Sequence, residues 1–448
     1  MGSLGLTIAA SGLDAAQTAM DTIAQNLSNT NTPGYIAETA NLSAISAGDP
    51  LGVGGGTAVG SVTQNTDNLL AANAAQTSAA LAQSTTLQQV LQQAQLAFGN
   101  PSSTTGVGPD LSTFWQSWDQ LAANPSSSAN RQGVIDSAQV VVTDLRQASS
   151  QISSASSNAS SQLAGTITQA NSLLGQVASL NAQITTQGAS GSSVAPLVDQ
   201  RNQLLTQLSS QIGATSTPGV GGALDVTVGG VTLVQGNWSD TLGLQGSGAS
   251  TQIVAQSTKT ALSAASGSAA GLLAAVNLYL PSYQSQVDTV ANNLANVVNT
   301  QLAAGYTATG TPGSALFTGS GAAGLAVNPA VVANPALIAT ASTSSLPAAT
   351  NDGSNAQALA ALYNAPNGPD AAWQAAVVNV GSQVSEINSQ VQSQTATANS
   401  AQQNLQAVTG VNQNAALIDL MNFQSTYQAA AKVVTTVDTA LQSLLAAV

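Results

Sequence analysis

Two heptad-spaced apolar stripes, one at each end of the chain, constrain its fold more than any other feature. Near the start, Leu6, Ala9, Leu13, Ala16, Met20, Ile23 and Leu27 follow a strict 3,4 spacing. At the end, Leu420, Phe423, Tyr427, Ala430, Val434, Val437, Leu441, Leu444 and Val448 continue another without a break. Such spacing draws a narrow seam along one side of a helix, as in a coiled coil, whereas a helix on a globular core carries a broader apolar face. A helix over Leu420–Val448 would run about 43 Å at 1.5 Å per residue. A stripe of that length needs a mate, because each large seam residue contributes roughly 1.5–3 kcal/mol once buried. The two ends are therefore expected to pair and to form the assembly surface of the molecule. An ordinary helical bundle whose ends fold back on its own core remains the alternative at this point.

The flanking positions hold Gln, Ser, Thr and Asn, with almost none of the Glu/Lys pairs that fix register and partner in coiled coils. Pairing specificity must come from core shape or from neighbouring subunits. A further seam, Val377, Val380, Val384, Ile387, Val391, Ala398, Ala401, Leu405 and Val408, precedes the last one, and Gly410-Val411-Asn412 marks a break between them.

Between the ends the pattern is mostly helical. Asn29 through Tyr35, with Pro33-Gly34, reads as a turn. Ser46–Gly60, with Gly54-Gly55-Gly56 and no following Gly-Lys-Ser/Thr, reads as a flexible connector. Helices are expected from Asp67 to Phe98, from an Asp110 N-cap through Phe114, Trp115 and Trp118, from about Asn130 to Thr186, and from Leu197 to Ile212. The one clear β signal is alternation in Leu224–Val228 and Val231–Val234 around Gly229-Gly230, a hairpin. Helix returns over Ala269–Ala303, interrupted near Pro281, and Gly305–Thr350 has few periodic elements. The expected plan is mainly α. Residues 1–35 and 411–448 form a terminal coiled-coil domain, 36–66 a connector, 67–212 with 269–410 a helical bundle, and 213–268 a small β-containing excursion.

Composition removes most kinds of chemistry. Of 448 residues, 5% are charged, with five basic residues, a net charge of −13, and neither Cys nor His. Five cations cannot neutralise a phosphate backbone, so nucleic acid is not a partner. Without Cys or His the usual zinc, haem and iron–sulfur sites are out of reach, as is serine–histidine or cysteine catalysis. The acids, such as Asp14 with Asp21 and Asp136 with Asp144, are scattered and read as solvated faces rather than a carboxylate dyad. Low charge can signal a membrane protein, but there is no apolar run of 18 residues or more. The sequence offers no active site, cofactor site or membrane span. The start, Met1-Gly2-Ser3-Leu4-Gly5-Leu6, lacks the basic region and apolar core of a cleaved secretory signal.

Several stretches together carry a family resemblance. Ser11-Gly12-Leu13-Asp14-Ala15-Ala16, Ile23 through Asn29 and Pro33-Gly34-Tyr35 are similar to the shared start of axial flagellar proteins. Gly410-Val411-Asn412, Phe423-Gln424, Tyr427-Gln428-Ala429 and Lys432-Val433-Val434 are similar to their shared end. In the interior, Leu121 through Pro125 with Arg131, Ala178-Ser179-Leu180-Asn181, Leu197 through Leu205, and Gly271-Leu272-Leu273 leading to Val298-Asn299 resemble the hook-associated family that forms the first hook–filament junction. Two departures stand out: Ile36-Ala37-Glu38 sits where the family usually has a basic residue, and the β-rich outer domain is reduced or missing.

The resemblance implies a structural subunit exported without a cleaved signal through the flagellar type III channel to the extracellular hook–filament junction. It implies partners in further copies of itself, the hook protein, the second junction protein and, before export, a chaperone at the C-terminal helix. It also carries the expectation that both termini are disordered in the monomer and fold on assembly. Other axial flagellar proteins, a secreted coiled-coil adhesin and, weakest, an enzyme built on Asp, Tyr and Lys432 or Lys259 are the rival readings. The long helix and Asp199-Gln200-Arg201 disfavour hook and rod types, and the absence of repeats disfavours the adhesin.

Overall fold

The computed structural model describes residues 2–46, 54–99, 104–190, 193–263 and 266–446. Its longest element is one helix, α4 (Ser128–Ala189, 62 residues), about 93 Å at 1.5 Å per residue. Val134, Ala138, Val141, Leu145, Ala148, Ile152, Ala155, Ala159, Leu163, Ile167, Ala170, Leu174 and Val177 recur every three or four residues along its buried side. The Ser127 side chain opens the helix by accepting from the Asn130 amide at 3.2 Å.

In chain order the helices before α4 are α1 (Gly2–Ser28), α2 (Asn68–Gln95) and α3 (Val107–Ala123); after it come α5 (Ala195–Ile212), α6 (Ser268–Ala274) and α7 (Leu280–Ala304). Short helices α8 (Gly321–Gly324), α9 (Pro329–Ala333), α10 (Ala348–Asn351) and α11 (Ser354–Ala361) fill the Gly- and Pro-rich stretch. Two long helices, α12 (Pro369–Thr409) and α13 (Gln413–Ala446), end the chain, separated at Gly410. The break in the 269–303 helix is a widened π-turn, Ala275–Tyr279, just before Pro281, whose ring cannot continue a regular ladder.

Helices α3, α5 and α7 pack along α4, and α12 returns against α2 and α7. Phe98, Phe114, Trp115, Trp118, Tyr283, Phe317 and Trp373 gather where these meet, all buried. Phe98 lies edge-on to Tyr283 and stacks on Trp373. The Trp115 indole donates to the buried Asp370 carboxylate at 2.7 Å, so the ring's one polar group is satisfied. Gly271 lets α6 touch α2, since a side chain there would run into the Gln83 carbonyl.

Residues 215–255 leave the bundle as two small antiparallel sheets. Strands β3 (Thr215–Pro218), β4 (Leu224–Val228), β5 (Val231–Gln235) and β6 (Trp238–Ser239) pair in sequence order; β7 (Leu242–Gln245) pairs with β8 (Gln252–Ala255). The β4–β5 turn is Gly229-Gly230 with φ of 54° and 83°, which only glycine adopts freely twice in a row. Val226, Val228, Leu233 and Val234 are buried in the core shared with α4. Asn181 on α4 holds the sheet by its backbone: it donates to the carbonyls of Leu224 and Gly236 and accepts from the Leu224 amide. Arg201 on α5 reaches the same knot, donating to Asn181 Oδ1 and to the Gly222 carbonyl. A two-residue pair, β9 (Phe317–Thr318) with β10 (Ala326–Val327), lies further on.

Two local expectations are corrected. The 36–66 segment is not a plain connector: β1 (Glu38–Ile45) and β2 (Gly56–Gln64) pair antiparallel from Glu38↔Gln64 to Ile45↔Gly56. Its residues are half-buried or exposed, Leu42, Ile45 and Val62 among the exposed, so backbone pairing rather than side-chain burial forms it, and the alternation from Thr39 to Ala44 does not mark a core face. Residues 47–53, inside the stretch expected to be loop, lie outside the described residues, as do 100–103. Asp110 is not an N-cap either. Gly106 holds that position with φ 107°, a conformation aspartate adopts only at a cost, and Asp110 sits inside the first turn.

Candidate assembly interface

The chain's two ends meet at one place. The Ala37 amide donates to the Thr409 carbonyl at 2.8 Å, which sets the end of the N-terminal segment beside the start of α13. From there α13 runs back along α1, and Gly12 faces Ala430 so closely that a β-carbon on the glycine would lie 3.9 Å from the alanine methyl. The two helices are thus antiparallel.

Their contact is narrow. On α1 the buried residues are the small ones, Ala9, Ala15, Ala16, Ala19, Thr22 and Asn26. Of the residues expected from spacing, Leu13, Met20, Ile23 and Leu27 are half-buried and Leu6 is exposed. On α13, Leu420, Phe423, Val434 and Val437 are half-buried, while Tyr427 and Leu441 are exposed. Val448 lies outside the described residues, as does the side chain of Leu444. The chain brings the two stripes to one side but closes neither. Leu417, Ile418, Met421 and Val433 of α13 stand exposed as well.

Below this pair lies a polar collar whose members spacing did not single out. Asn26, 8% exposed, behaves like a piece of strand: its amide donates to the Glu38 carbonyl at 2.7 Å and its oxygen accepts from the Glu38 amide at 2.9 Å. The same oxygen accepts from the Tyr35 hydroxyl at 2.8 Å. Gln203 of α5 donates to the Pro33 carbonyl at 2.7 Å and fills the space beside Gly34, whose φ of 80° and missing side chain are both required there. Gln64 of β2 donates to Asp199 of α5 at 2.7 Å. For Asn26, Tyr35, Asp199 and Gln203 the one signal was their presence in the motifs Ile23–Asn29, Pro33-Gly34-Tyr35 and Leu197–Leu205; Glu38 stood only in the departure Ile36-Ala37-Glu38, and Gln64 had no signal.

The collar is acidic and partly dry. Burial, then the neighbouring Asp199, pushes the Glu38 carboxyl above its ordinary range. Burial raises Asp199 too, opposed by hydrogen bonds from Gln64 and the Ile36 amide. Burial, followed by the two carboxylates, pushes the Tyr35 hydroxyl up to about 12. Such a cluster can hold a backbone junction; it has no nucleophile or metal-ligand set. Among the described residues there is no group of three or more potential metal ligands, and no helix is long and apolar enough to cross a membrane.

The body is mainly helical and is entered and left through one antiparallel pair of terminal helices, and residues 6–35, in the first of that pair and the turn after it, match the family model described as flagella basal body rod protein, which places the chain among flagellar proteins. Residues 91–317, about half of the chain, match the model of the flagellar hook-associated protein FlgK helical domain, and the chain belongs to that family. Flagellar hook-associated protein 1 of Salmonella typhimurium is 27% identical over 334 residues, covering 69% of this chain and 58% of the relative. That of Escherichia coli is 28% identical over 326 residues, covering 69% and 59%. The chain thus spans less than two thirds of these relatives. The solved structure of the flagellar hook junction protein FlgK from Burkholderia pseudomallei shares the fold, with a TM-score of 0.64 at 20% identity, over 77% of this chain and 100% of that one.

Proposed function

We propose that this chain is a structural subunit of the bacterial flagellum that joins hook to filament by forming a layer of copies through α1 and α13. The observation that carries the proposal is the half-open terminal pair: two apolar stripes brought together by the chain and left partly in water. A surface of that kind is completed by neighbours. The similar proteins are named hook-associated and, for the solved structure, hook junction protein, and family membership supports that junction as the position in which neighbours would be found. In this reading the partners are other copies, the hook protein on one side and the second junction protein on the other. The exposed face of α13 is where an export chaperone would bind beforehand. The role is structural, with no catalytic step, and the subunit works outside the cell.

Deleting Leu420–Val448 tests the proposal. Intact hooks, flagellin lost to the medium and no filaments are expected, scored by electron microscopy and by blotting the culture supernatant. Normal filaments would overturn it.

A further inference from the structure

Helix α1 has three sides. One faces α13 through Gly12, and one faces β2, where the Ser11 hydroxyl accepts from the Thr57 amide at 3.3 Å. The third lies open to solvent: Ala10, Asp14, Gln17, Asp21 and Ala24 are all exposed at 3,4 spacing. It is acidic and, at its alanines, thin enough for another helix to approach closely.

Helix α13 carries the matching face. Leu417, Met421 and Lys432 fall together on the side turned roughly 150° from the seam that meets α1, at 100° per residue. Leu417 is 45% and Met421 61% exposed. Lys432 is the one basic residue in the two terminal helices, and its ammonium forms no ion pair among the described residues. No acid stands three or four residues from it along α13. Asp14 and Asp21 likewise have no cation partner among the described residues.

We infer that α13 of one copy lies, outer face inward, on the open stripe of α1 of the next, with Lys432 on Asp14. This rests on the proposed assembly through the terminal helices and adds which faces meet. Register follows from the pairing within one chain. Since Gly12 faces Ala430 and the helices are antiparallel, Lys432 is level with Ala10. Asp14 is then about 6 Å along the axis and Asp21 about 16 Å, by the rise of 1.5 Å per residue. Neighbours at nearly equal height therefore bring Lys432 to Asp14, and Met421 to the Asp21–Ala24 turn. The contact is head-to-tail: every copy offers one α1 stripe and one α13 face, so the pattern continues around a layer instead of stopping at a dimer.

The test uses the absence of native cysteine. The full-length chain with Asp14→Cys and Lys432→Cys replaces the native one, hook–filament structures are isolated, and a short bismaleimide is added. A ladder of covalent dimers and higher forms is expected, absent from either single variant. Only monomer, or a fast-migrating internally linked monomer, would overturn the inference. Charge exchange gives a second reading: Lys432→Asp and Asp14→Lys should each abolish filaments, and the two together should restore them. Unaffected single variants, or a double variant that does not recover, would equally sink it. If Leu420–Val448 proves essential while these outcomes fail, assembly through the seam stands and only this choice of faces is lost.

Discussion

At the scale of single residues, the collar depends on amides more than on charges. Asn26 replaces a missing strand partner for Glu38, and its removal would leave the Glu38 amide and the Tyr35 hydroxyl unpaired in a partly dry place. Leaving a buried donor unsatisfied costs roughly 1–3 kcal/mol. Asn26→Ala is therefore expected to speed hydrogen exchange at the Glu38 amide by about tenfold or more, since each factor of ten is about 1.4 kcal/mol; unchanged protection would show that water replaces the side chain. Another residue contributes to the pH response. Burial, and next a hydrogen bond with Asp144, pushes the Asp110 carboxyl from 3.8 up to about 6, with the Gly106 amide opposing. The folded chain thus holds a proton that the unfolded chain releases. Its contribution is fully present below about pH 4 and is lost as pH rises through about 6. Asp110→Asn should flatten the fall in denaturation midpoint between those values, and a profile identical to the native one would refute the assignment.

At the scale of elements, the sequence was most readable where burial repeats. The expected helix near 130–186 is α4, 128–189, because its buried side holds a three-to-four spacing throughout. The 224–234 hairpin was equally readable from Val alternation around paired glycines. The β1–β2 hairpin was missed although Thr39 to Ala44 alternate polar and apolar, because the glycines between the strands read as loop and neither face enters the core. The terminal seam was legible as spacing, yet the most buried residues of α1 are alanines and Asn26 rather than the leucines, since helix approach at Gly12 favours small side chains and Asn26 is held by Glu38 and Tyr35. The contact of α6 with α2 was invisible, as it depends on one missing methyl. Gly271→Ala should force those helices apart and cost about 1–3 kcal/mol, the usual range for overpacking. Tryptophan fluorescence in denaturant reads it, and an unchanged midpoint would mean the helices separate freely.

At the scale of the whole molecule, protection against solvent is uneven. The body around α4 contains side chains with no exposure, such as Trp118, Leu145 and Leu163, whereas α13 has none described as buried. Stability follows local burial. Hydrogen exchange on the dilute monomer should therefore be complete in α13 long before the centre of α4, in line with termini that fold on assembly. Equal protection of the two helices would contradict this.

The hydrogen bond between Ala37 and Thr409 has a mechanical consequence. Both backbones leave the collar side by side at the same end of the pair, so an axial pull passed through the body reaches α1 and α13 together. The two helices then move as one arm, and the load is not spent on sliding one past the other.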